Sequence, residues 1–176
     1  MPAEDRLTQL RHALAANPGD SRLLYLLGAE LAQLGQYDDA TSALTSAIAI
    51  EPSLHTARLQ LGLLHLTLGH SERSVAVLAN LDTLPDDDPL RHFKSGLQAL
   101  ASDQLDECVA ALRRGISLNQ TNAALNADMT RIITRIEDLR SAHAVDTPQP
   151  TPAAREVDVE SAKRTDFSLY KTIEDT

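Results

Sequence analysis

The chain has 176 residues, 25 acidic against 16 basic side chains, a formal net charge of −9, 3% aromatics and no Trp. That length builds one domain of ordinary size, and its core has to come from Leu, Ala, Ile and Val instead of rings. The acidic balance, with no cluster of Lys and Arg, excludes a nucleic-acid backbone as the main ligand, and the lack of a run of about 18 apolar residues excludes a membrane-spanning helix.

Helices are predicted at residues 4–16, 21–34, 37–50, 54–68, 71–81, 89–101, 104–117 and 121–142. The first lies within the opening MPAEDRLTQLRHALAANPGD, which has no basic stretch leading into an apolar core, so no secretory signal is expected. Asp20 or Ser21 is placed to cap the second helix and Ser53 the fourth. Asp88 before Pro89 puts proline in the first turn of the sixth, where a missing donor does no harm. The eighth, NAALNADMTRIITRIEDLRSA, has one apolar stripe of Leu125, Met129, Ile132, Ile133 and Ile136. Asp128, Arg131, Arg135, Glu137 and Asp138 lie off that stripe. After Ala144 the prolines Pro148, Pro150 and Pro152 and the fading apolar period predict an extended linker and a largely disordered tail, 144–176. Its end, DFSLYKTIEDT, differs: Phe167, Tyr170 and Ile173 recur every third residue, which makes 166–174 a candidate docking segment.

The helices repeat. Gly28, Gly62 and Gly96 stand at one interval, although glycine inside a helix costs about 1 kcal/mol relative to alanine. Gly35, Gly69 and Asp103 keep the same step, as do Ala40, Ser74 and Cys108, and Leu44, Leu78 and Leu112. Ala47, Leu81 and Gly115 align less well, and Pro52 follows Pro18 while Pro85 misses by one. Several columns at one period demand a packing reason for the glycines: a residue without a side chain lets two helices cross closely, with Ala40, Ser74 and Cys108 as the small partners opposite.

This pattern resembles the tetratricopeptide repeat, a helix-turn-helix unit of about 34 residues. In the first copy Leu24, Leu27, Gly28, Leu31, Ala40, Leu44, Ala47 and Pro52 occupy the motif's places; in the second, Arg58, Leu61, Gly62, His65, Ser74, Leu78 and Leu81. The third holds His92, Ser95, Gly96, Ala99, Cys108, Leu112 and Gly115, with Gln120 where proline is expected. The motif's aromatic positions are filled otherwise in all three. The resemblance implies an all-α, right-handed helical-hairpin solenoid spanning 1–143: a half repeat at 4–18, repeats at about 21–54, 55–88 and 89–120, and a capping helix at 121–142 whose polar side closes the stack.

Catalytic chemistry finds no support. The six histidines, His12, His55, His65, His70, His92 and His143, form no H-E-x-x-H and have no Cys or carboxylate at ligand spacing. Asp86, Asp87 and Asp88 lack the glycine and terminal glutamate of a calcium loop. Phosphate-loop and nucleophile-elbow motifs are missing. Cys108 sits in a column that requires smallness, so it reads as a buried thiol. No catalytic residue, cofactor or metal is expected. A lone cysteine forms no intramolecular disulfide, which fits a cytoplasmic protein.

Interaction is the remaining reading. By the resemblance, the first helices of each repeat line a concave face through Tyr25, Ala29 and Ala32, then Leu59, Leu63 and Leu66, then Phe93, Leu97 and Leu100. The helix at 54–68 is apolar nearly all round, so something must cover a third side. Superhelical curvature can bury these leucines within the domain. Alternatively, they form a groove for an apolar peptide or helix of a partner protein, for the chain's own Phe167, Tyr170 and Ile173, or for another copy in a homo-oligomer. In the groove reading, Leu63→Asp is expected to abolish binding and spare the helices. Lys94 alone has the character of the family's carboxylate clamp, so acidic chaperone tails are not expected. An adaptor or scaffold is the reading adopted. The alternative is a secretion chaperone, since size, acidity and three repeats also resemble the chaperones that shield type III translocators.

Overall fold

Eight α-helices and one 3-10 turn follow one another in the computed structural model, which describes residues 3–146. They are α1 (Ala3–Ala16), α2 (Ser21–Gln33), α3 (Tyr37–Ile50), α4 (His55–Thr67), α5 (Ser71–Leu78), the turn Ala79–Thr83, α6 (Pro89–Ala101), α7 (Leu105–Leu118) and α8 (Ala123–Asp146). Helices α2 with α3, α4 with α5 and α6 with α7 pack as successive hairpins, α1 lies against α2, and α8 lies against α7. The linker and docking segment expected beyond residue 146 lie outside the described residues.

Local chemistry explains most boundaries. The Asp20 carboxylate caps α2 by accepting from the Arg22 and Leu23 amides, and Asp88 caps α6 by accepting from Leu90, with Pro89 in the first turn. Ser53 does not cap α4. The helix starts two residues later, after Leu54, which has no capping side-chain bond and instead packs on the N-terminal core. α5 ends earlier than its apolar period suggests. The chain tightens into the 3-10 turn to bury Leu81, then extends at Leu84, as a residue before proline must. Gly35 and Gly69 end α2 and α4 with φ of 73°, and Asp103 does the same after α6 at 56°.

The recurring glycines are close-approach points. A Cβ on Gly28 would lie 2.6 Å from Leu44 Cγ, one on Gly62 2.6 Å from Leu78 Cδ2, and one on Gly96 2.5 Å from Leu112 Cδ2. The closest neighbour is thus the leucine column, not the small-residue column expected from sequence. Ala40, Ser74 and Cys108 are buried as well, and Ala40 and Cys108 present backbone carbonyls to the glycine above them. Smallness there lets the backbones approach, and leucine fills the space the glycine leaves. Gly115 fits the same logic in reverse: the Phe93 ring occupies the place of its missing side chain, at 2.4 Å from the Cβ position.

Two cores form, and α4 belongs to both. Ala57, Leu61 and Leu64 join α1, α2 and α3 in an N-terminal core. Leu59 and Leu63, on the opposite side of the same helix, join α5, α6, α7 and α8 in a C-terminal core. This division is why α4 is apolar almost all round. Each buried leucine contributes about 1.5–3 kcal/mol to the packing.

Candidate functional site

The columns expected to line a concave face lie on α2, α4 and α6. Leu59, Leu63, Phe93, Leu97 and Leu100 are buried in the C-terminal core, together with Leu125, Met129, Ile132, Ile133 and Ile136 of α8. α8 is therefore more than an end cap, because its apolar stripe shares one core with Leu59, Leu63, Phe93, Leu97 and Leu100. Of the two readings left open by the sequence, burial within the domain holds for these five residues. Ala32 is also fully buried, whereas Tyr25, Ala29 and Leu66 stay half-buried.

Polar contacts fix the path of α8. Its first turn is capped by Asn122, whose side-chain oxygen accepts from the Leu125 amide at 3.0 Å. Buried Asn119 donates to the Asn122 carbonyl at 2.9 Å and to the Asn126 side chain at 2.8 Å, and Asn126 donates back to the Asn119 carbonyl at 2.9 Å. This asparagine corner stands where the repeat would otherwise carry proline. It launches α8 so that the Asn122 side chain comes near the Tyr25 hydroxyl on α2, and Asp128 comes near Gln60 on α4. Farther along, Arg113 pairs with Glu137 at 2.7 Å and Asp106 with Arg140 at 2.8 Å, which ties the second half of α8 to α7.

The electrostatics follow from burial. Desolvation raises the Asp128 carboxyl above the usual carboxylate range, against the opposing pull of its ion pair with Arg131 and of nearby Gln60. Desolvation likewise lifts the Tyr25 phenol; nearby Asn122 opposes this and the Asp128 charge adds to it. Lys94 is not available to a ligand: it is buried and paired with Asp82 of the 3-10 turn. Burial pushes the Cys108 thiol up to about 11, and so leaves it unreactive. His65 stands in the column of Leu31 and Ala99; burial lowers its pKa, with His70 and Arg73 acting the same way. Among the described residues no three His, Cys, Asp or Glu side chains gather as a metal ion would require.

From sequence Asp128 is only a residue off the α8 stripe, and Gln60, Asn119 and Asn122 are given no structural role. Their signal was weak: each is a polar residue at the edge of an apolar stripe, a place that usually faces water.

Comparison with known proteins agrees with this geometry. The family model of the tetratricopeptide repeat matches residues 21–54. Among solved structures, a crystal structure of MamA superposes with a TM-score of 0.52 at 15% identity, covering 81% of this chain and 91% of that one. MamA from residue 41 to its end, from Desulfovibrio magneticus RS-1, gives a TM-score of 0.52 at 18% identity, covering 82% and 88%. A MamA RS-1 double mutant gives the same values. No curated protein matches the sequence. Residues 21–54 thus match a tetratricopeptide repeat, and the described chain has the all-α helical-hairpin solenoid fold of the MamA structures. Among the described residues no helix is long and apolar enough to cross a membrane.

Proposed function

We propose that this chain is a non-catalytic adaptor or scaffold that binds an apolar peptide or helix of a partner protein on the N-terminal half of its concave face. The observation that carries the reading is the contrast along that face. Leu59, Leu63, Phe93, Leu97 and Leu100 are buried in one core with the stripe of α8, while Tyr25, Ala29 and Leu66 stay half-open. The buried residues give the surface a rigid floor, and the half-open ones supply anchors. Two or three side chains buried there, at about 1.5–3 kcal/mol each, offset the ordering of a short segment. α8 illustrates the pattern such a face accepts, an apolar stripe with polar flanks. The buried thiol of Cys108 suits a reducing, cytoplasmic setting.

A secretion chaperone would use an apolar groove along all three repeats, and the floor of the third repeat is covered by α8, so the adaptor reading is preferred. The test is selection of peptides from a displayed random library on the full chain. Selected sequences should carry apolar residues at helical spacing and lose binding to Ala29→Arg and Leu66→Glu variants of unchanged helical content. Peptides that bind both variants as well as the wild type would remove the proposal.

A further inference from the structure

The two flanks of α8 beside its stripe differ. One faces α7 through Asn126, Glu137 and Arg140. The other carries Asp128, Arg131 and Arg135, which the helical period sets on one side. The stripe beside it shares a core with Leu59 and Leu63 of α4, and Asp128 lies near Gln60 and Tyr25, so this flank borders α4 and α2, where Tyr25, Ala29 and Leu66 are half-open. Arg131 and Arg135 are exposed, and Arg135 makes no salt bridge among the described residues. In a chain of net charge −9, two exposed arginines edging an apolar wedge complement a segment that is both apolar and acidic.

The sequence contains such a segment. Residues 166–176, DFSLYKTIEDT, combine Phe167, Tyr170 and Ile173 with Asp166, Glu174 and Asp175. Residues 147–165 lie between it and the end of α8, and at about 3.3 Å each they span up to about 63 Å. The return path along α8, of 24 residues, is only about 36 Å. We propose that residues 166–176 dock in cis in the wedge between α8 and the pair α2 and α4. The apolar side chains lie against Tyr25, Ala29 and Leu66, and the acidic ones lie toward Arg131 and Arg135. This rests on the concave-face reading and adds its regulation: a tethered segment competes at high effective concentration, so only partners that outbid it gain the site.

The probe is a dye-labelled synthetic peptide of residues 164–176, titrated by fluorescence anisotropy into two full-length chains. One is wild type; the other carries Phe167→Ser, Tyr170→Ser and Ile173→Ser. The substituted chain should bind the peptide at least ~10-fold more tightly than wild type, because its site is vacated. Arg135→Glu in the substituted chain should weaken binding several-fold, and a peptide with Asp166→Lys, Glu174→Lys and Asp175→Lys should regain it. Equal affinity for both chains would overturn the proposal. So would concentration-dependent dimers of the wild type that the triple substitution abolishes, since these put the segment on a second copy. A display-selected peptide titrated in parallel separates the two readings: if it binds and the tail peptide does not, only self-occlusion fails, and if neither binds, the concave site fails with it.

Discussion

Asp128 on α8 lies close enough to Gln60 on α4 for the two side chains to interact, which relates the last described helix to the second repeat. The carboxylate is nearly buried, and its raised pKa means that the folded chain holds a proton over a window in which the unfolded chain has released it. The associated stability is present in full below the ordinary carboxylate value and is lost as pH rises through the raised one. At neutral pH the ionised group therefore opposes docking of α8. Asp128→Asn keeps an acceptor for Gln60 and removes the charge. Urea unfolding should find the variant more stable than wild type at neutral pH, with a smaller advantage in mild acid. A less stable variant at neutral pH would contradict this.

Gly62 supports the hairpin of α4 and α5 by leaving room for Leu78. Gly62→Ala adds a methyl group where fully buried Leu78 already sits, and overpacking of this kind costs about 1–3 kcal/mol, more than the roughly 1 kcal/mol of helix propensity it gains. In a Leu78→Ala background the same substitution should cost nothing or stabilise. A double-mutant cycle by chemical denaturation measures the coupling. Additive effects would mean that the two residues do not meet.

Leu63→Asp, which sequence alone suggests would spare the helices, is now expected to loosen the fold. Leu63 shares a core with Met129 and Ile132, so a carboxylate there is buried without a partner. Loss of cooperative thermal unfolding by circular dichroism is the expected result, and Leu63→Ala should cost about 2–5 kcal/mol. A fully stable Leu63→Asp would show that the concave floor is open to water.

The sequence was most informative where one residue type answers one geometric demand. The glycine and leucine columns, the Asp20 and Asp88 caps and the Pro89 start all follow from local sterics, and the structure has them where the repeat period puts them. The position of α8 was not legible. Its stripe of Leu125, Met129, Ile132, Ile133 and Ile136 told of burial without saying against what. The choice between capping α7 and also covering α4 turns on the asparagine corner at Asn119, Asn122 and Asn126 and on a Gln60–Asp128 pair distant in sequence. Periodicity says which face is apolar; only long-range pairing says which partner it meets. The floor residues Leu59, Leu63, Phe93, Leu97 and Leu100 thus became core, while Tyr25, Ala29 and Leu66 stayed half-open.

Asp103 occupies the place that Gly35 and Gly69 hold in the first two repeats, with φ of 56° against 73° for each glycine. A side chain in this left-handed region costs about 1–2 kcal/mol, somewhat less for aspartate, and glycine relieves it. Asp103→Gly should therefore raise the melting temperature by a few degrees, as followed by circular dichroism. An unchanged or lower value would mean that the carboxylate makes a compensating contact.

The path of α8 across the concave face can be tested by cross-linking. In a Cys108→Ala background, Gln60→Cys and Asp128→Cys are introduced together, treated with a short bismaleimide, and mapped by peptide mass spectrometry. A high-yield link within one molecule between positions 60 and 128 is the expected result. No link, or a link only between two molecules, would mean that α8 does not cover its own solenoid and that the concave floor lies open.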